Sequence, residues 1–504
     1  MTQPQTQHEA HHADVATTLR NAVKLGGSLL VTLVIGFGTR IALRRYLGPA
    51  VIGPVNFADA FTSTAFVFLA LGIDTHVRKI VPVVLEGANA FLGTVFLTRL
   101  LLSVAIFGAM GVVLGWMGQP PEVRTLVWAY GAAQLVMSFN NTFAALLQSA
   151  RKVDGLSVLN ILSKLIWAAG FVATMLFQWP LVGIPLSVLA AEVLKLIGSY
   201  VLARRHVKLE LHLDWASLWP ALKLSAPFYM NGVALVVVSR FDVNVLKVAT
   251  EDAEVGLYSA ASELAQITLV MTPMMTGVVM PLFARTLSRG ADEFYAIVRR
   301  TVEIVLVLAA PVSLVISLGA DVWVRLVLGE QYAAAAWALS ILAPTFLLTY
   351  IAVIIATALN MNEQGWTVTL TSTMSMFVNP LAVLGFVALS KSLHWGQGGG
   401  GAACALAAVV TEALVVTVMF WRFGRVALDT RLVKVIIKTA LVAGVVLAID
   451  RLFLRPIGPG RLVIEGLLYA VLALGIGAVS VKESIAFLKQ MRSARAASPA
   501  VPIE

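Results

Sequence analysis

Cysteine and charge are both scarce in this chain. Cys404 stands alone among 504 residues, which excludes an internal disulfide framework and any multi-thiolate metal site. Charged residues make up 13% of the sequence, against about 25% in an ordinary soluble domain. Too few remain to cover a water-facing surface. The signatures of catalysis and nucleotide use are missing as well: there is no Walker A motif, His-Glu-x-x-His, Gly-x-Ser-x-Gly, Asp-x-Asp or cysteine pair. Direct use of ATP is therefore excluded, no cofactor or metal is expected, and the chain is not read as an enzyme. The run Gly396-Gln397-Gly398-Gly399-Gly400-Gly401 has no lysine and no following P-loop pattern, so it reads as a flexible outer connection. No connecting loop reaches the roughly 50 residues of a small soluble domain. Whatever the chain does, it does within or between its apolar segments.

Those segments dominate. Hydrophobic residues make up 59% of the chain, and the mean hydropathy is +0.86. Apolar runs near or above the roughly 20 residues that cross a bilayer core recur about fourteen times, so the expected fold is an all-α polytopic membrane protein. The runs group into a cytoplasmic tail (1–20), a first lobe of six helices (21–205), a second lobe of six (221–422), two further helices (432–482) and a second cytoplasmic tail (483–504). The lobes are expected to enclose a central cavity. Residues 1–18, with His8, His11 and His12, lack the basic-then-apolar order of a signal peptide and read as a short disordered tail. The net charge of +10 does not imply a nucleic-acid partner, because Lys and Arg gather in alternate loops. With the amino terminus inside, about 22 of them fall on that side and about 9 on the other, so both termini should face the cytoplasm.

A few charges lie inside the apolar runs, where each costs at least about 2.5–3.5 kcal/mol unless it faces protein or water. Arg240 and Asp242 sit near the middle of the run at 221–249. Two residues apart on a helix they point to different sides, so each needs its own partner. Candidates for Arg240 are a carboxylate such as Asp242 or Glu263. Arg40 lies toward the far end of the first run and either reaches inward or snorkels with Arg44 and Arg45. Arg99 and Lys164, within reach of an interface or of Glu192 as a partner, read as structural, as do Glu303 and Glu412, and Asn140-Asn141-Thr142 reads as a patch bonding helix to helix. Pro185, Pro227, Pro273, Pro311, Pro344 and Pro380 are candidate kinks.

One short pattern recurs. Leu43-Arg44 precedes Val51-Ile52-Gly53-Pro54-Val55-Asn56-Phe57-Ala58, and Leu246-Lys247 precedes Glu254-Val255-Gly256-Leu257-Tyr258-Ser259-Ala260-Ala261, with equal spacing from Leu to Gly. Six spans separate the copies, an even number, which implies parallel repeats. Asp59 and Glu263 fall one position apart in this register, so Asp59, Asp242 and Glu263 are candidate coupling or gating carboxylates.

Arg45-Tyr46-Leu47-Gly48-Pro49 followed by Gly53, Arg240-Phe241-Asp242 followed by Val255 to Ala261, and Pro281-Leu282-Phe283-Ala284-Arg285 together resemble the polysaccharide-transporter branch of the multidrug/oligosaccharidyl-lipid/polysaccharide exporter superfamily, which includes the Wzx-type flippases. The resemblance implies a multi-pass protein of the bacterial inner membrane that flips undecaprenyl-diphosphate-linked glycans by alternating access through a cationic cavity. Arg240, Arg40 and Lys24 are its matching positions by span and depth. Implied partners are the lipid-linked oligosaccharide substrate, membrane lipids, and polysaccharide polymerase and export machinery. The chemistry agrees: a diphosphate headgroup with two negative charges needs fixed cations, and the planar fork of Arg grips phosphate oxygens at two points. Three alternatives stand beside this reading. A cation-coupled drug exporter would favour an acidic, aromatic-lined cavity. A glycan polymerase or glycosyltransferase would need a sizeable aqueous loop. A scaffold would find the intramembrane charges dispensable.

Overall fold

The computed structural model describes the backbone of residues 4–73, 88–149, 153–204, 214–424 and 429–477, with side chains described from Gly27 onward except 28–29, 88–90, 149, 153, 217, 227–228 and 274. Among these residues there is no strand, and the elements are helices. In chain order they are α1 (Pro4–Phe66), α2 (Ala88–Trp116), α3 (Pro121–Ser149), α4 (Val153–Leu176), α5 (Gly183–Ala203), α6 (Trp215–Ala249), α7 (Asp252–Ile267), α8 (Thr272–Leu287), α9 (Ala291–Leu318), α10 (Ala320–Leu328), α11 (Ala335–Met361), α12 (Gly365–Ser392), α13 (Gly399–Phe423), α14 (Thr430–Ile449) and α15 (Arg461–Gly475).

Ten described stretches are long and apolar enough to cross a membrane, eleven if a bent pair counts as one span, so the protein is multi-pass. The fourteen expected spans map onto them. Leu30–Leu69 holds the first two and Thr430–Gly475 the last two. The seventh is the bent pair, and the fourth is α3, which is long enough but diluted by Gln134, Ser138, Asn140, Asn141 and Thr142.

Glycine and proline decide where these helices break. At Gly48 (φ 78, ψ 170) the first two spans part company, a conformation only glycine enters cheaply, and Pro49 bars a helical residue before it. The seventh span bends by 58° between Leu218–Ala226 and Tyr229–Ala249, astride Pro227. A 3₁₀ turn, Thr268–Met271, splits the eighth just before Pro273, and the Tyr350 hydroxyl donates to the Thr268 carbonyl there at 2.8 Å. Pro311, Pro344 and Pro380 lie inside continuous helices. Pro185 falls in the first turn of α5, where its missing N–H has no helical partner to lose.

The chain forms two compact units, Met1–Val248 and Ala249–Glu504. In the first, Leu218 at the head of α6 packs with Leu92 and Val95 of α2 and Phe143 and Leu146 of α3. Close helix contact there depends on small residues: a Cβ on Gly183 would meet Thr174 Oγ1 at 2.7 Å. In the second, Phe283, Phe294, Val298, Ile355 and Val416 form one core. Ala310 and Leu314 of α9 seat Val442 and Val446 of α14 and Tyr469 of α15.

The repeated pattern carries a repeated burial. Leu43 and Leu246, Ile52 and Val255, Val55 and Tyr258, Phe57 and Ala260, and Ala58 and Ala261 are all buried, as are Gly53 and Gly256. A chance match of letters would not reproduce the inward positions.

Two sequence-based expectations are corrected here. The tail read as disordered is helical from Pro4 into the first span; Pro4 suits a helix start, and the next twenty-one residues contain neither Pro nor Gly. The glycine run read as a flexible connection is ordered, with Gly398 to Gly401 buried. Glu254 accepts hydrogen bonds from the backbone N–H of Gly398 and, at 3.2 Å, of Gly401, which fixes the amino end of α13 with an anion. The side chains of His8, His11 and His12, the loop pairs Arg78-Lys79 and Arg151-Lys152, and the tail from residue 483 lie outside the described residues.

Candidate functional site

Arg240 in α6 does find a carboxylate, and it is Asp59 of α1: Nη1 stands 3.5 Å from Oδ2. Both members remain partly open, with side chains 41% and 31% exposed, so neither is locked in a dry core. One helical turn along α6, the Asn244 amide donates to Thr64 Oγ1 at 3.2 Å, and Lys247 Nζ lies 5.9 Å from the Phe57 ring centroid. Polar side-chain contacts therefore reach from α6 to the second half of α1.

Around this pair the first unit gathers further charge. The buried Tyr130 of α3 is in electrostatic contact with Asp59, Arg40 and Arg240. Lys164 of α4 is in electrostatic contact with Arg40 and Asp59, and with Glu192 and Lys195 of α5. Lys164 Nζ also rests 4.4 Å from the centroid of Trp167, a cation–π arrangement that partly offsets desolvation. Glu192 accepts the Asn140 amide at 2.8 Å. Arg40 and Asp59 thus act on both Tyr130 and Lys164, which places Arg40 and Lys164 in the electrostatic surroundings of the Arg240–Asp59 pair. Arg adds a fixed fork of donors to that field.

The other expected site residues are placed as follows. Asp242 is buried at 6% exposure, and its carboxylate accepts the Val243 N–H at 2.8 Å. Glu263 lies on α7 in the second unit, half-buried. The side chain of Lys24 is outside the described residues. The expectation that Asp242 or Glu263 would pair with Arg240 gives way to Asp59, which lies 181 residues away in sequence. Tyr130 and Lys195 were not singled out from the sequence. A signal for Lys195 existed, since Glu192 and Lys195 are one helical turn apart in an apolar span.

Other intramembrane charges have structural partners. Arg99 of α2, 0% exposed, donates to the Ser138 carbonyl and Thr142 Oγ1 of α3 and to the Ala70 carbonyl at 3.2 Å. With Asn140 bound to Glu192, the Asn140-Asn141-Thr142 patch bonds helix to helix as its composition suggested. Glu303 lies between Arg300 at 2.7 Å and Arg431 at 3.1 Å, and Glu412 is hydrogen-bonded to Thr349. Among the described residues no group of three or more His, Cys, Asp or Glu is placed to hold a metal ion.

A multidrug resistance transporter of the MATE family in the MOP superfamily, inward-facing, superposes with a TM-score of 0.65 at 14% identity, covering 81% of this chain and 98% of that one. The lipid II flippase MurJ, inward closed, superposes with a TM-score of 0.62 at 13% identity, covering 91% and 100%. A MOP superfamily transporter from Pyrococcus furiosus, described by the reverse polarity of its binding pocket, gives 0.55 at 16% identity, covering 82% and 96%. At these identities the likeness is one of fold alone. No curated protein sequence matches. The model of the polysaccharide biosynthesis protein family matches residues 18–287, more than half of the chain, and on that ground the protein belongs to the polysaccharide biosynthesis protein family.

Proposed function

We propose that the protein is a flippase that moves undecaprenyl-diphosphate-linked oligosaccharide across the bacterial inner membrane for assembly of O-antigen, capsule or exopolysaccharide. The observation that carries this reading is the half-exposed Arg240 paired with Asp59, with the further cations Arg40 and Lys164 in its electrostatic surroundings. A polyprenyl diphosphate ester bears two negative charges, and its tail can stay in the lipid while only the head must cross. Fixed cations in the path lower the barrier for that head. Asp59 holds Arg240 in place and weakens its grip, so that the headgroup can also leave. Family membership and the fold shared with a lipid II flippase support the reading. A drug exporter for organic cations would be served by the opposite charge balance, and binding of a cationic dye at this cluster would favour it. The direct test is reconstitution: purified protein in vesicles should move a fluorescent lipid-linked diphosphate sugar between leaflets and leave the monophosphate analogue largely unmoved. Equal rates for the two would sink the diphosphate site.

Both termini are proposed to be cytoplasmic on the loop charge bias. A reporter active only in the periplasm should give signal when fused after residue 252, and none when fused after 207 or 490. The reverse pattern overturns the orientation.

Asp59 also suggests the energy source. A carboxylate beside an Arg in a membrane can exchange a proton or cation as access alternates. Glu263 and Asp242 are the further candidates, and polymerase and export machinery would act on the flipped product. Transport in sealed vesicles should then respond to a pH gradient, a sodium gradient or the membrane potential. Indifference to all three would rule out coupling through these carboxylates.

A further inference from the structure

A second charged cluster lies in the other unit, where the last two helices meet α9 and α10. After Ile449, α14 widens into a single π turn, Asp450–Leu454, a local irregularity that recurs at functional sites. A 3₁₀ stretch, Arg455–Gly460, then leads into α15. The Asp450 and Glu465 side chains are both 0% exposed and that of Arg461 is 5% exposed. Arg461 is the clamp: one terminal nitrogen reaches Asp321 Oδ1 of α10 at 2.5 Å and the Leu318 carbonyl of α9 at 3.0 Å. Its Nε stands 3.6 Å from both Asp450 Oδ1 and Glu465 Oε1. The remaining charged neighbours are Arg455, with Nε 3.8 Å from Asp450 Oδ2, and Asp321 itself, 64% and 46% exposed. They offset one another. Tyr469, one turn beyond Glu465, packs with Val442 and Val446 of α14.

What is left inside does not balance. Two fully buried carboxyl groups face one guanidinium, one negative charge in excess, and neither Asp450 nor Glu465 has a hydrogen-bond donor on either oxygen among the described residues. Asp450 and Glu465 are nevertheless within hydrogen-bonding reach of each other. Two carboxylates at that separation cannot both stay ionised out of water, whereas a single proton between them turns repulsion into a hydrogen bond and brings the buried set to neutrality. A divalent metal would need more ligands, and no third His, Cys, Asp or Glu joins the pair among the described residues. We propose that Asp450 and Glu465 form a proton-binding site, one carboxyl protonated and donating to the other, and that this proton keeps the α14–α15 pair docked on α9 and α10 through Arg461. The inference does not rest on the reading of the Arg240–Asp59 cluster.

The purified protein in nanodiscs tests it by difference infrared spectroscopy. At neutral pH the C=O stretch of a buried carboxylic acid is expected in the wild type, and its absence would overturn the proposal. Glu465→Gln and Asp450→Asn each replace the shared proton with an amide N–H, so either variant should lose that band and stay folded; should one fail to fold, the other decides. Wild-type thermal stability should fall as pH rises toward the loss of the proton and level off beyond it, and the amide variant should be flat over the same range. A band that survives in the variant places the acid elsewhere. A stability that follows sodium concentration and ignores pH would make the ligand a metal cation, and either outcome refutes the site.

Discussion

Replacing Arg240 with alanine is expected to abolish glycan-lipid flipping while leaving the protein inserted at normal abundance. The pair it forms with Asp59 is long at 3.5 Å and half open, so breaking it should cost about 0–1 kcal/mol, as for exposed ion pairs. The lost phosphate contact is larger. A charge-assisted hydrogen bond is worth about 1.5–3 kcal/mol, which corresponds to roughly a 10- to 150-fold fall in transport. Arg240→Lys should restore only part of it, because a point charge cannot reproduce the two-point grip. If the pair were instead a structural lock, Arg240→Ala would lower membrane abundance and Asp59→Asn would rescue it. Measuring abundance and export together in the single and double variants separates the two outcomes. Normal export by a stable Arg240→Ala protein would remove this residue from the mechanism.

The membrane architecture was legible in the sequence because it depends on composition alone. Fourteen apolar runs are visible without knowing which touches which, and the odd charges inside them stand out against the hydrocarbon that surrounds them. Partner choice is another matter. Arg240 meets Asp59 across 181 positions and Glu254 meets Gly398 across 144, and nothing in helical periodicity says which helices become neighbours. Asp242, two residues from Arg240, was a natural candidate by nearness in the chain, yet helical geometry turns it to another side. Tyr130 escaped notice because an aromatic in an apolar run looks like packing until its charged neighbours are known. Composition also misled at the glycine run. Glycines suit a linker and equally suit a helix start pressed against its neighbours, and only Glu254, supplied from α7, tells the two apart.

Arg99 is expected to behave in the opposite way to Arg240. Its side chain is fully buried and joins three elements, because its donors reach the Ser138 carbonyl and Thr142 of α3 and the Ala70 carbonyl at the end of the second span. Alanine there would remove several charge-assisted bonds at once and leave their acceptors in a site that water cannot reach. A hydrogen bond to a charged group is worth about 1.5–3 kcal/mol, so the total loss should be on the order of 3 kcal/mol, a large share of the 5–15 kcal/mol that holds a typical domain together. Lysine should rescue little, since one ammonium on a flexible stem cannot span acceptors that a planar fork bridges. The expected result for Arg99→Ala is a marked drop in membrane abundance and in the temperature at which the solubilised protein aggregates. The molecules that do fold should transport at the wild-type rate, because the acceptors that Arg99 bridges, on Ser138, Thr142 and Ala70, are not members of the cluster around Arg240. Flipping rate per folded molecule is the deciding measurement: a stable Arg99→Ala protein with lost transport would show that the cation acts on substrate and that its buried hydrogen bonds are incidental.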